Sequence, residues 1–169
     1  MSVLETPRLV LRPLTLDDAA FMLALVNEPA WLRFIGDRGV RNLDDARRYL
    51  TNGPLAMYAR FGFGHCLVER KADGAALGLC GLVKRETLSD VDLGFAFFPR
   101  HWGAGYAHEA AVAVLAHGEG ALGLSRIVAI TAPDNTSSIR LLEKLEFRFE
   151  RMIRHVEGGP ESRLYVRAR

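Results

Sequence analysis

Apolar and polar residues change their period several times along the chain, and each change marks an element. Residues 8–12, Arg-Leu-Val-Leu-Arg, alternate as a strand does, and Pro13 ends the run. Thr15 followed by Asp18 has the spacing of a capping box. Leu16, Ala20 and Leu23, with Ala19, Met22 and Val26, then share one side of a helix that stops near Pro29. Asn42 with Asp45 repeats the start signal. Leu43, Ala46, Tyr49 and Leu50 form a second apolar stripe, which Gly53-Pro54 is expected to break. Three strands follow at short spacing, over 64–70, 75–84 and 91–98, and short connections predict antiparallel pairing. After Pro99 the period becomes helical, with Ala107, Ala111, Val114 and Leu115 on one side and glycines at 118, 120 and 123 closing it. A strand over 126–132, a helix over 135–145 and a strand pair over 147–155 and 162–167 complete the order β-α-α-β-β-β-α-β-α-β-β. Such an order predicts a mixed α+β sheet with helices on its faces.

Composition narrows the class without naming a function. The chain has 169 residues, suited to a single domain over 1–169. Hydrophobic residues make up 49% and charged residues 25%, enough for a buried core. Against 22 basic side chains stand 20 acidic ones, a net charge of +2, which argues against a nucleic-acid binder with its concentrated basic face. Cys66 and Cys80 have neither metal-ligand spacing nor a disulfide framework and read as buried reduced thiols. No metal is expected. The first residues lack the basic-then-apolar pattern of a secretory leader, and no apolar run approaches a membrane span, so the chain reads as cytoplasmic with no membrane partner.

The chemistry concentrates at Pro99-Arg100-His101-Trp102-Gly103-Ala104-Gly105-Tyr106-Ala107. A strand ends, two glycines follow, and a helix begins at once. A helix's first turn presents unbonded N–H groups and a partial positive charge. Glycine lets the backbone approach an anion without a Cβ in the way. Alone, this spacing reads equally as a plain strand-to-helix turn. It is not a nucleotide P-loop, for no Gly-Lys-Ser/Thr follows, and the third glycine of a dinucleotide fingerprint is missing.

Arg100-x-x-Gly103-x-Gly105-Tyr106-Ala107, then Glu109-Ala110, resembles the cofactor loop of the GNAT N-acetyltransferases. The match is closest to the branch of the ribosomal-protein N-terminal acetyltransferases, RimJ/RimL-like. Asn135-x-x-Ser138-x-Arg140-Leu141-Leu142-Glu143-Lys144-Leu145-x-Phe147 resembles that branch's other characteristic segment, and Thr6-Pro7-Arg8-Leu9-x-Leu11-Arg12-Pro13 its first strand. The resemblance implies a largely antiparallel seven-stranded sheet with about four helices, splayed between the strands at 91–98 and 126–132. It implies acetyl-CoA as co-substrate. The pantetheine arm would lie in the split against the backbone of Ala96, Phe97 and Phe98. The N–H groups of Trp102, Gly103, Ala104, Gly105, Tyr106 and Ala107, beside Arg100, would hold the pyrophosphate. Asn135 and Ser138 would face the thioester end.

The resemblance also assigns roles. Asp92 is the expected general base, against the alternative of a solvated strand residue or turn partner. A backbone N–H near Phe97 is the expected oxyanion partner. The family often places a tyrosine where this chain has Leu142, so Ser138 is the expected acid, against the alternative of a helix cap beside Asn135. Arg100, Arg126, Arg140, Lys144 and Arg148 include the candidates for the cofactor's 3′-phosphate. Relatives usually carry glycine where this chain has Glu146, which predicts a strained left-handed residue or a different helix end. The acceptor is expected from residues 30–60 and the last strand pair, with Trp31, Phe34, Tyr49, Met57, Tyr58 and Phe61 either lining it or packing in the core. Three functions remain open: acetylation of a protein N-terminal amine, acetylation of a small-molecule amine (polyamine, amino acid or drug), and a non-catalytic acyl-CoA-binding regulatory module. Exposed strand edges leave a homodimer open.

Overall fold

The computed structural model describes residues 2–169. Eight strands form one sheet: β1 Leu4–Glu5, β2 Leu9–Pro13, β3 His65–Arg70, β4 Ala76–Val83, β5 Asp92–Phe97, β6 Arg126–Thr131, β7 Arg148–Ile153 and β8 Ser162–Ala168. Their order across the sheet is β1-β2-β3-β4-β5-β6-β8-β7. Every neighbouring pair is antiparallel except β5 and β6. The six α-helices are α1 Ala19–Val26, α2 Pro29–Phe34, α3 Leu43–Leu50, α4 Ala56–Phe61, α5 Tyr106–Gly120 and α6 Thr136–Lys144.

The expected α+β class holds, with one more strand and two more helices than the pattern predicts. β1 has two residues, too few to show a period, and its pairing of Leu4 with Leu11 extends the sheet edge. Pro29 does not only end α1. It takes the first turn of α2, where its fixed φ suits the helix and its missing N–H costs nothing. Gly53-Pro54 does not break the second helical segment either. Residues 51–55 widen into a π-helical turn with Pro54 inside, and the chain continues into α4. A wider turn relieves the clash between a proline ring and the preceding carbonyls.

Capping follows the sequence closely. Thr15 and Asp18 form the reciprocal box. The Asn42 side chain accepts the Asp45 N–H at 2.8 Å. α1, α2 and α3 cover one face of the sheet, where Met22, Leu25, Trp31, Ala46 and Leu50 pack with Leu67, Leu79 and Phe98. α5 and α6 cover the other, where Ala110, Ala111, Val114, Leu115 and Leu142 meet Val68, Leu82, Leu93 and Ile127. Cys66 and Cys80 sit opposite each other in the β3–β4 register, both buried. Burial pushes the Cys66 thiol up to about 12 and Cys80 higher still, so neither is a nucleophile at neutral pH.

Candidate functional site

β5 and β6 begin side by side and then part. Their register contains one pair, Asp92 opposite Val128, with the Val128 N–H donating to Val91 O at 3.0 Å. Beyond it the strands leave backbone groups exposed, and the phase of the neighbouring ladders decides which. In an antiparallel pair, residues that exchange hydrogen bonds alternate with residues that do not. The Phe98 N–H donates to Leu77 O at 3.0 Å, in the register that sets Gly78 opposite Phe97. Ala96, Gly94 and Asp92 therefore also turn their backbone groups to β4. Phe95 and Phe97 turn theirs into the gap. On the far side the Arg169 N–H donates to Ser125 O at 2.9 Å, in the register pairing Arg126 with Ala168. Val128 and Ile130 thus face the gap, and Ile127, Ala129 and Thr131 face β8.

This corrects part of the expected pantetheine contact. The Ala96 backbone and the Phe98 N–H are committed to β4, the Phe98 carbonyl accepts the His101 N–H at 2.9 Å, and Phe95 joins Phe97 as a strand residue whose backbone turns to the gap. The Phe97 carbonyl has one partner, the Trp102 indole Nε1–H at 3.0 Å. The Phe98 side chain leaves the gap altogether: it is buried against α1, with Phe21 edge-on at 5.7 Å. Arg100 lies over the Phe98 ring at 4.2 Å and does not line the cavity.

The gap opens into a cavity of about 510 Å³ that runs from the loop before α5 to α2 and α3. Ala96, Phe97, Trp102, Gly103, Gly105, Tyr106, Ala107, Asn135 and Ser138 all line it. Ala104 sits between the two glycines without lining it. Gly103 and Gly105 have φ of 83° and 81°, the left-handed region that favours glycine. Gly105 is the N-cap of α5, and no side chain caps the helix, so the N–H groups of its first turn are free for an anion.

Two further motif residues explain how this loop is held. Glu109, in the first turn of α5, accepts the Thr6 hydroxyl at 2.6 Å, the Arg8 N–H at 2.9 Å and the Arg8 Nε–H at 2.7 Å. Burial alone would raise the Glu109 carboxyl; these bonds hold it below the ordinary value. Arg8 lies over the Tyr106 ring at 4.4 Å and Arg70 at 5.8 Å. Arg8, just before β2, and Arg70, at the end of β3, thus bring cations to the start of α5. Of the five cations among which one or two partners for the 3′-phosphate were expected, Lys144 lines the cavity and Arg126 is engaged by Asp90 and Glu150.

On the other wall, the Asn135 side chain accepts the Ser138 N–H at 3.3 Å. Asn135 is the cap, and the Ser138 hydroxyl has no part in it. Leu142 is 1% exposed and packs in the core, while Leu141 and Lys144 line the cavity. α6 ends in a Schellman arrangement: the Glu146 N–H donates to Glu143 O at 3.0 Å and the Phe147 N–H to Leu142 O at 2.9 Å. Glu146 takes φ 66°, alone among the described non-glycine residues in having a positive value.

The opposite end of the cavity collects titratable groups. Asp92 is 1% exposed, with Oδ2 accepting from Arg85 Nε–H at 2.7 Å and Oδ1 unpartnered. It is not a solvated strand residue. Burial raises its carboxyl above the ordinary range, against the pull of Arg85. His65 lies in a neighbouring row on the same face: the register sets it opposite Gly81, and Gly81 opposite Gly94, two residues from Asp92. A Cβ at Gly94 would come within 2.5 Å of His65 Nε2, so the imidazole rests where a side chain is missing. Burial, then Arg85, lowers His65 to about 4, leaving it neutral at pH 7. Trp31, Phe34 and Tyr49 line this end as the sequence allowed. Tyr58 does not: its hydroxyl accepts the Leu14 N–H at 3.0 Å and donates to the His65 carbonyl, a structural bracket. Met57 and Phe61 lie outside the lining. His65 and Arg85 escaped the sequence reading. The signal that could have found His65 is a pair of glycines inside adjacent strands, which mark a close approach by a neighbour.

The family model described as "Acetyltransferase (GNAT) domain" matches residues 8–148. The uncharacterized N-acetyltransferase YoaA of Bacillus subtilis is 30% identical over 153 residues, spanning 90% of this chain and 86% of that protein. Among solved structures, an acetyltransferase from Agrobacterium tumefaciens superposes with a TM-score of 0.85 at 25% identity, covering 100% of this chain and 95% of that one. The ribosomal-protein acetyltransferase RimL, solved in complex with coenzyme A, has the same fold, with a TM-score of 0.81 at 16% identity over 99% of this chain and 98% of its own.

Proposed function

The chain belongs to the GNAT acetyltransferase family, and on that premise we propose that it moves an acetyl group from acetyl-CoA to a primary amine by direct attack, with a protein N-terminal amine as the acceptor. The observation that carries this reading is one continuous cavity. It joins a helix start without a side-chain cap, two strand residues with free backbone groups, and a buried carboxylate with one free oxygen.

The residues present fit a coenzyme A thioester. Of the N–H groups expected at the pyrophosphate, that of Trp102 is spent on Pro99 O at 3.1 Å; those from Gly103 to Ala107 suit it, and the gap-facing backbone of Phe95 and Phe97 suits an amide-bearing arm. Acetyl-CoA, when bound, supplies the carbonyl carbon that the amine attacks and the sulfur that departs. A free backbone N–H at Phe95 or Phe97 steadies the oxygen as it gains charge. Asp92 Oδ1 takes the proton the amine gives up, directly or through a water. The Ser138 hydroxyl, free of the helix cap, gives a proton to the leaving sulfur. An N-terminal amine has a pKa near ~8 and a lysine amine near ~10.4, so the former needs little help from a base to be neutral near pH 7. Orientation within the cavity then supplies much of the rate.

Residues 1–169 act in this reading as one domain in the cytoplasm, and the exposed outer strand β7 leaves room for a homodimer. The test is mass spectrometry of a panel of peptides and small amines after incubation with the protein and acetyl-CoA. A gain of one acetyl group on peptide α-amines supports the proposal. Gain on polyamines or free drugs alone overturns the acceptor, and acetyl-CoA binding with no transfer overturns the activity.

A further inference from the structure

Among the described residues, four buried side-chain atoms lack a hydrogen-bond partner: Trp31 Nε1, Asp92 Oδ1, His155 Nδ1 and Arg163 Nε. Such groups are rare because each forfeits its hydration without a replacement. Trp31 and Asp92 line the same cavity, while His155 and Arg163 do not. One of the two is a donor without an acceptor and the other an acceptor without a donor. Trp31 is 6% exposed, held in α2 by packing against α1 and α3, so its indole cannot turn outward to find water. A ligand that satisfied both atoms would bring a hydrogen-bond donor to Asp92 and an oxygen acceptor to Trp31.

Charge at this end limits the ligand further. Arg38 and Arg85 line it, with Glu28 and Asp92 as the carboxylates. The Asp92–Arg85 pair is already made, and Arg38 has no ion pair among the described residues. With Asp92 spent on Arg85, Glu28 is balanced by Arg38, so this end holds no surplus carboxylate for the second ammonium of a polyamine.

We propose that Trp31 is a specificity-determining residue, its indole N–H donating to the carbonyl oxygen of an acceptor that carries amine and carbonyl on adjacent carbons. The acceptor class is thus the α-amino carbonyl compound, a peptide N-terminus or an amino-acid amide, and not an alkyl amine or polyamine. The inference rests on the reading of this cavity as the acceptor site of an acetyltransferase. A site with a buried donor rejects the analogue lacking the matching oxygen, because the donor is then left unpaired again.

The test uses alaninamide and its isostere without the amide, 3-methylbutan-2-amine. Binding of each is measured by calorimetry with coenzyme A present, at pH 6 where both amines are protonated. Wild type should bind alaninamide about tenfold more tightly, the worth of one hydrogen bond. Trp31→Phe keeps an aromatic ring, a smaller one, and removes the N–H. It should abolish the preference for alaninamide over the isostere while leaving affinity for coenzyme A unchanged. Equal affinity for the two amines in wild type, binding of neither, or a preference that survives Trp31→Phe overturns the inference. Acetyl transfer is followed in parallel. Lost transfer with the preference intact would overturn the proposed activity and leave the assignment of Trp31 standing. Transfer without the preference would do the reverse.

Discussion

At position 146 a glutamate stands with φ 66°, closing α6 in a conformation that favours glycine. The strain is about 1 kcal/mol. Its carboxylate meets Arg167 at 2.9 Å, but the side chain is 79% exposed, where an ion pair contributes little. Relief of strain outweighs the lost pair, so Glu146→Gly should raise Tm by about 2–4 °C in thermal melting. A fall in Tm would refute the left-handed assignment. Asp92 is the other residue at which a single exchange is decisive. Its carboxyl is raised by burial, and a base works only when deprotonated. kcat/KM should therefore fall as pH drops through a value above the ordinary carboxylate range. Asp92→Asn should lower kcat/KM by roughly 100-fold and erase that limb. An unchanged pH profile would remove Asp92 from the reaction.

The elements differ in how plainly the sequence announces them. Gly103 and Gly105 were legible only together with the segment from Asn135 to Phe147, since their spacing alone reads equally as a plain turn, and the structure gives both a positive φ. Asn42, Thr15 and Asn135 were legible as caps for a local reason. α2 and α4 were not, since six residues make less than two turns and leave no stripe to count. His65 was hidden because its place depends on a row across three strands, and register is not written in any one of them. Arg85 was hidden because it sits in a polar connection that reads as solvent-facing. At α6 the division of labour between Asn135 and Ser138 is now testable. Asn135→Ala should cost about 1 kcal/mol of stability, seen in denaturant melts. Ser138→Ala should leave stability nearly unchanged and reduce kcat. A Ser138→Ala enzyme with full kcat would leave the acid role without a residue.

Across the whole molecule, the sheet is not closed between β5 and β6. Phe95 and Phe97 hold unspent N–H groups in the middle of an eight-stranded sheet, while those of Ala96 and Phe98, which alternate with them, are paired. Hydrogen exchange should report this alternation. The amides of Phe95 and Phe97 should exchange quickly in the free protein and slow by at least tenfold on addition of acetyl-CoA, with those of Ala96 and Phe98 slow throughout. Uniform protection along 95–98 in the free protein would mean that the split is closed in solution.

The sheet's strand order carries a consequence for how the protein is made. β8, the last strand in the chain, lies between β6 and β7, and through β6 it braces one wall of the split. During synthesis, every strand up to β7 emerges before the one that joins the outer third of the sheet together. Until Ser162–Ala168 has cleared the ribosome, β6 has no neighbour on its outer side and β7 none at all. Folding on the ribosome can thus complete the β1–β5 half early, but the β6 wall of the split is braced only after β8 has emerged, and until then the nascent chain carries unpaired strand edges that invite chaperone capture.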